Sequence, residues 1–203
     1  MNDAPSSIPS DRRAARRRCA AVLGAAAALL AGCATTRVTL NPSAPGPVCE
    51  RAATARVAWA PRWRADQKDV PAREAAAAAG LERFLASSGC FARWTLQRLT
   101  EPGPAALDTA VAQAPADVGT VVIVVVRELG PVVRLMSSAA LVEGGTEVVL
   151  DIVVHDGPGR SRRREFTVHW QHGGPGVVKG VESLPSDLQA ALAAALQPAA
   201  GMR

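Results

Sequence analysis

The sequence predicts an α+β domain. It is a single small domain with a mixed, mostly antiparallel sheet in the order β-α-β-α-β-β-β-α and helices packed on one face. Three observations carry this. Val121-Val122-Ile123-Val124-Val125-Val126 is apolar at every position, as in a strand buried on both faces and hence central. Next, Val148, Leu150, Ile152 and Val154 alternate with Glu147, Val149, Asp151 and Val153. Beyond a Gly/Pro loop at 156–159, Phe166, Val168 and Trp170 alternate with Glu165, Thr167 and His169. Two period-2 segments around such a loop read as a hairpin. Finally, two stretches have helical spacing: Ala77, Leu81, Phe84, Leu85 and Ser88 early in the chain, and Leu188, Leu192 and Leu196 at its end.

Arg12, Arg13, Arg16, Arg17 and Arg18 make a basic start, and Cys19 to Leu30 is a run of apolar and small residues. A run of about 12 residues suits a signal segment and is too short for a spanning helix. Leu30-Ala31-Gly32-Cys33 follows, and it resembles the lipobox of bacterial lipoproteins. The resemblance implies lipidation of the Cys33 thiol, cleavage before it, and acylation of the new amino terminus. Two or more chains suffice for stable anchoring where one does not. Ala34, in place of Asp, implies transfer to the outer membrane, on its periplasmic face. An ordinary secretory signal with a chance cysteine is the alternative.

Arg37 to Leu40 reads as a short strand or an extended segment. Asn41 to Pro47 holds three prolines and reads as a semi-rigid spacer of ~3.1 Å per residue. It would hold the domain off the lipid surface. The chain thus divides into a signal segment 1–32, a lipidated N-terminus and tether 33–52, and a periplasmic domain 53–200.

Within the domain, Ala55 to Ala60 reads as a strand and Arg73 to Ser88 as a helix ended by Gly89. Phe91 to Leu99 is a second strand and Ala105 to Ala114 a short helix. Val118 to Leu129 is the central strand, ended by Gly130-Pro131. Val132 to Met136 is a further strand, and Gly144-Gly145 a turn. Closing the hairpin at His155 and Ser161 sets Leu150 opposite Phe166 and Val148 opposite Val168, with Glu147, His169 and Arg163 on the other face. Gly173 to Gly176 reads as a loop, and Ser186-x-x-Gln189 has the form of a capping box opening the last helix. This order of elements, over about residues 53 to 198, resembles the periplasmic domains related to the N-terminal domain of TolB and to CsgG-type or transport-auxiliary lipoproteins.

Five of the 23 basic and two of the 18 acidic residues fall in the signal, leaving 18 and 16. A net charge of only +2 removes the case for nucleic-acid binding. Aromatics are scarce, with four Trp, three Phe and no Tyr, which disfavours base-stacking or carbohydrate surfaces. With Cys19 removed and Cys33 acylated, Cys49 and Cys90 remain as an even pair in an oxidising compartment. Each lies just before a strand, and if those strands are parallel neighbours both thiols share one sheet end. A bridge is the first reading; two separate buried thiols are the alternative.

Little points to catalysis. Ser137 and Ser138 lack a G-x-S-x-G frame, and the carboxylates are dispersed. No metal site or cofactor is expected. His169 and His172 are the only histidine pair worth weighing, and on a strand their parity differs, so they point apart. Arg160, Arg162, Arg163 and Arg164 form a basic cluster suited to an anion or to a solvated hairpin end. The reading that follows is a non-enzymatic outer-membrane lipoprotein. It would serve as an adaptor or accessory subunit in envelope assembly or transport, with the membrane and an envelope protein as partners. The alternatives are a small-ligand or lipid-binding module and, third, a metal-dependent hydrolase at the His169/His172 loop.

Overall fold

The computed structural model describes residues 34–43, 46–136, 141–157 and 159–197. The signal segment, Cys33, Ser137 and Ser138 lie outside the described residues. The strands are β1 (Thr35–Asn41), β2 (Glu50–Pro61), β3 (Phe91–Arg98), β4 (Thr120–Met136), β5 (Leu141–Asp156) and β6 (Arg162–Pro175). The helices are α1 (Val70–Ser88), α2 (Pro104–Ala112) and α3 (Leu184–Leu196), the last entered through a 3-10 turn at Val181–Ser183. The six strands form one sheet in the order β1-β6-β5-β4-β2-β3. β2 runs parallel to β3 and β4, and the other three pairings are antiparallel. The predicted mixed α+β fold is the one observed. No helix among the described residues is long and apolar enough to cross a membrane.

The two long helices share a face, as expected, but the short one does not. Val57 and Trp59 of β2 and Val122, Val124 and Val126 of β4 pack with α1 and α3. Their neighbours of opposite parity, Ala58, Val121, Ile123 and Val125, pack with Ala110 and Val111 of α2. The reason is topological. From β2 the chain moves outward to β3, then back past β2 to β4. Two crossovers of the usual right hand, taken in opposite directions, place their helices on opposite faces.

Several predicted breaks are continuous strand. Gly130-Pro131 does not end β4; it lies inside the ladder, opposite Glu147 and Thr146. β2 stops pairing at Pro61↔Val126. From there β4 has a partner on one side only, where a residue without an N–H is tolerated. A bulge at Arg127 precedes this stretch. The Gly144-Gly145 turn and the Gly173-Gly174 loop are likewise strand, with Gly144 opposite Gly174 and Gly145 opposite Gly173. These glycines allow close approach rather than a reversal. A Cβ on Gly173 would come 2.2 Å from the Gly144 carbonyl oxygen.

The hairpin register differs by two residues from the one expected. Ile152 faces Phe166, Leu150 faces Val168 and Val148 faces Trp170: the hairpin closes at His155–Arg162 rather than His155–Ser161, and a bulge between there and Val154↔Arg164 adds the second residue. A shift of two preserves the faces, so Val148, Leu150, Phe166, Val168 and Trp170 are all buried on the α1/α3 side.

α1 starts at Val70, earlier than predicted, with Pro71 in its first turn; Gly89, at φ +61°, ends it as expected. α3 starts at Leu184 after Ser183, not at Ser186, because Pro185 is favoured in a first turn. The Ser186 hydroxyl instead donates to the Ser183 carbonyl. Leu188, Leu192 and Leu196 are buried as a stripe. Gly80 lets the two long helices touch, since a Cβ there would meet Leu188 at 2.9 Å.

The segment assigned to the tether belongs in part to the fold. β1 pairs with β6 from Thr35↔Gly173 to Asn41↔Thr167. Val48 is buried, and the N–H groups of Val48 and Cys49 donate to the Leu196 carbonyl. The compact unit therefore runs from Ala34, not from 53. The proline-bearing stretch joins two strands of one sheet.

Candidate functional site

α3 crosses the β5–β6–β1 side of the sheet and leaves a groove along the sheet edge. Thr36, Val38, Trp170, His172, Asp187, Ala190 and Ala194 line it, around an open volume of about 470 Å³. Its apolar floor follows from parity: Val38 of β1 stands beside Trp170 of β6. Its helical wall is Asp187, Ala190 and Ala194, so no large apolar side chain fills it.

The polar groups in the groove are engaged. Asp187 is buried at 6% exposure. Its Oδ2 accepts from the Thr146 hydroxyl at 2.6 Å and the Ser183 hydroxyl at 2.9 Å. Its Oδ1 accepts from Lys179 Nζ at 2.7 Å. A carboxylate that accepts from three donors, one of them cationic, fastens α3 to β5. His172 Nδ1 lies 2.8 Å from the Thr36 hydroxyl, and its ring stacks on Trp170 at 5.8 Å between centroids. The arrangement offers shape and apolar area for binding. It holds no free base beside a free nucleophile.

A second buried charge lies at the start of α1. Arg73 Nε donates to the Lys68 carbonyl at 2.8 Å. Its Nη1 donates to Glu128 Oε1 at 3.1 Å and to the Leu129 carbonyl. Arg64 adds a second cation to Glu128 at 3.2 Å. This tie holds α1 on β4 where β2 no longer flanks it. Sequence reasoning missed both buried charges. The available signal was a charge within an apolar stripe: Arg73 four residues before Ala77, and Asp187 four before Ala191.

Of the residues singled out from sequence, Cys49 and Cys90 are joined by a disulfide, with Cα atoms 4.6 Å apart. They sit at the common end of the parallel pair β2–β3, as the strand placement required. On the chain-entropy model a loop of this length contributes about 4 kcal/mol.

The arginine cluster does not converge. Arg160 donates to the Ala114 and Pro115 carbonyls, Arg162 to Glu165, Arg163 to Glu50, and Arg164 to the Gly46 and Pro47 carbonyls. Arg163 also pairs with Asp156 at 3.5 Å. Arg160 and Arg164 staple neighbouring loops, Arg162 pairs along its own strand and Arg163 with strand ends, so the four do not face one anion. His169 is exposed opposite Val149, while His172 turns to the groove. Glu147, on the same outer face as His169 as expected, stands opposite Gln171 and accepts from its amide at 3.0 Å. No group of three or more His, Cys, Asp or Glu among the described residues is placed to hold a metal ion.

No protein-family model and no curated protein sequence matches the chain. Among solved structures it is similar to the PelC dodecamer from Paraburkholderia phytofirmans. The identity is 17% and the TM-score 0.41, over 81% of this chain and 98% of that one. A single-substitution variant of the same PelC gives 16% and 0.40, over 81% and 99%. A homologue of neuraminyllactose-binding hemagglutinin from Helicobacter pylori gives 9% and 0.35, over 72% and 81%. At these values the likeness assigns no activity, ligand or assembly to this chain.

Proposed function

We propose that this chain is a lipid-anchored protein of the periplasmic face of the outer membrane, acting without catalysis as an adaptor or accessory subunit for an envelope protein. The observation that carries the binding role is the groove beside α3. It is open, floored by Trp170 and Val38, and its polar groups are held by internal partners. Two features support export. One is the Leu30-Ala31-Gly32-Cys33 motif after its basic and apolar segments. The other is the Cys49–Cys90 disulfide, a bond that persists in oxidising compartments.

The test has two arms. Cys33→Ala should remove the acyl mass and move the protein out of the membrane fraction; retention with outer membranes would reject the anchor. A photo-crosslinking amino acid at Ala190 or Ala194 should capture a discrete envelope protein in living cells. The same probe at His169, away from the groove, should not.

The groove also favours a second reading, a module that binds a small apolar ligand or lipid. In that case native mass spectrometry of the gently extracted protein would find a bound small molecule. Crosslinks at Ala190 would then yield no protein adduct. The third reading, a metal-dependent hydrolase, gains nothing from the geometry, since His169 and His172 diverge.

A further inference from the structure

We infer that the sheet end holding Thr35 and Val133 rests directly on the lipid bilayer, with Val133 and Val178 at the headgroup boundary. This rests on lipidation of Cys33, proposed above. Strand register locates the end. Thr35 stands opposite Gly173, Gly173 opposite Gly145, and Gly145 opposite Val132. These four residues form one row across β1, β6, β5 and β4. Beyond the row, β1 leads back to Ala34 and Cys33, and β6 leads to Pro175 and the loop at 176–178. β4 continues to Met136 and β5 begins at Leu141. All four strands therefore open toward the same side as the anchor.

The distance is short. Cys33 is two residues before Thr35, and extended chain spans at most about 3.5 Å per residue. An acylated Cys33 would hold the row within about 7 Å of the place where its chains enter the lipid. The proline-bearing stretch follows β1, so it inserts no spacer between lipid and sheet.

The surface chemistry at this end fits a bilayer. Among the described residues the two exposed large hydrophobic side chains are Val133, 69% exposed, and Val178, 93% exposed. Both are here. Val133 pairs with Gly144, and a Cβ on Gly144 would lie 2.0 Å from the Val177 carbonyl oxygen. The two valines thus flank one residue. By sequence the strands beyond the row are Val132-Val133-Arg134-Leu135-Met136 and Leu141-Val142. The same end also carries Glu143, half-buried next to Gly144. Exposed apolar side chains suit the interface between headgroups and acyl chains. The opposite end of the hairpin, at Arg160 to Arg163, is charged.

The test uses the processed full chain, extracted from membranes and reconstituted into vesicles of phosphatidylethanolamine and phosphatidylglycerol. Single Val133→Cys, Val178→Cys and, at the far end, Ser161→Cys variants carry an environment-sensitive fluorophore. Intact mass establishes acylation of Cys33 in the same samples, and thermal melts establish folding. In vesicles, the probes at 133 and 178 should shift to the blue and be quenched by lipids carrying a shallow spin label. The probe at 161 should do neither. Acylated protein whose probes at 133 and 178 stay aqueous would overturn the inference while leaving the anchor standing. Quenching at 161 would overturn it too, as would a blue shift in the lipid-free Cys33→Ala protein that grows with concentration, which would mean a second copy covers this end. Absence of acylation would remove the anchor and the inference together.

Discussion

The two faces of the sheet share the same strands but are covered unequally. On one face α1 and α3 bury Trp59, Phe84, Leu150, Ile152, Phe166, Leu188 and Leu192 in one continuous core. On the other, α2 covers a small patch around Val121, Ile123 and Val125 with Ala110, Val111 and Ala114. Past that patch the second face turns polar. Arg62 and Arg127 pair with Asp151, which also accepts from Thr167, and Gln171 donates to Glu147. The apolar run of β4 ends at Val126, where its pairing with β2 also ends. A strand needs apolar residues on both sides only while both sides are covered.

The largest expected effect lies on the covered face. Phe166→Ala should destabilise by about 3–5 kcal/mol through the cavity it leaves, read as a fall in the urea midpoint. Asp187→Ala should follow at about 2–3 kcal/mol, because it strands Lys179 and the Thr146 hydroxyl beneath α3; the partial exposure of Lys179, 17% of its side chain, keeps this below a fully buried pair. Asp187→Asn should recover part of the loss, and equal melting of the two variants would refute the charge assignment.

The sharpest comparison is a matched pair. Ile152→Val removes one methylene from the covered face and Ile123→Val one from the patch under α2. Both side chains are buried, so each should cost about 0.5–1.5 kcal/mol. The loss should be larger at Ile152, where two long helices prevent collapse. A larger loss at Ile123 would break the comparison. His169→Ala, on the exposed face, should change stability by no more than about 0.5 kcal/mol.

Most of the fold was legible because it rests on periodicity. The run at 121–126, the alternation through Val148 to Val154 and the Leu188–Leu192–Leu196 stripe each report burial, and burial decides those elements. What was not legible depends on partners distant in sequence. Gly144, Gly145, Gly173 and Gly174 read as turns because a lone chain shows only their flexibility; their reason is each other, across two strands. The hairpin register rested on the closing pair His155–Arg162 and on the bulge beside Val154, which no local signal marks. The side of α2 depended on the path from β3 back across β2. The groove was out of reach for the same cause, since Val38, Trp170 and Ala190 come from three separate elements. Cys49 and Cys90 were readable because their strand positions implied a shared sheet end.

The seam between β1 and β6 bears on the order in which the protein folds. Thr35 and Gly173 are 138 residues apart in sequence, yet their strands are adjacent. The latch from Val48 and Cys49 to Leu196 spans further still. Contacts of such long separation form late, because the loop entropy must be met before they contribute. The β2-α1-β3 crossover and the β4–β5–β6 meander are local and can assemble first. β1 then docks as the closing strand. A sheet left without it would expose the whole β6 edge, with Trp170 beside it, as a template for pairing with another chain. The interval before β1 docks is therefore the one in which self-association competes most directly with folding.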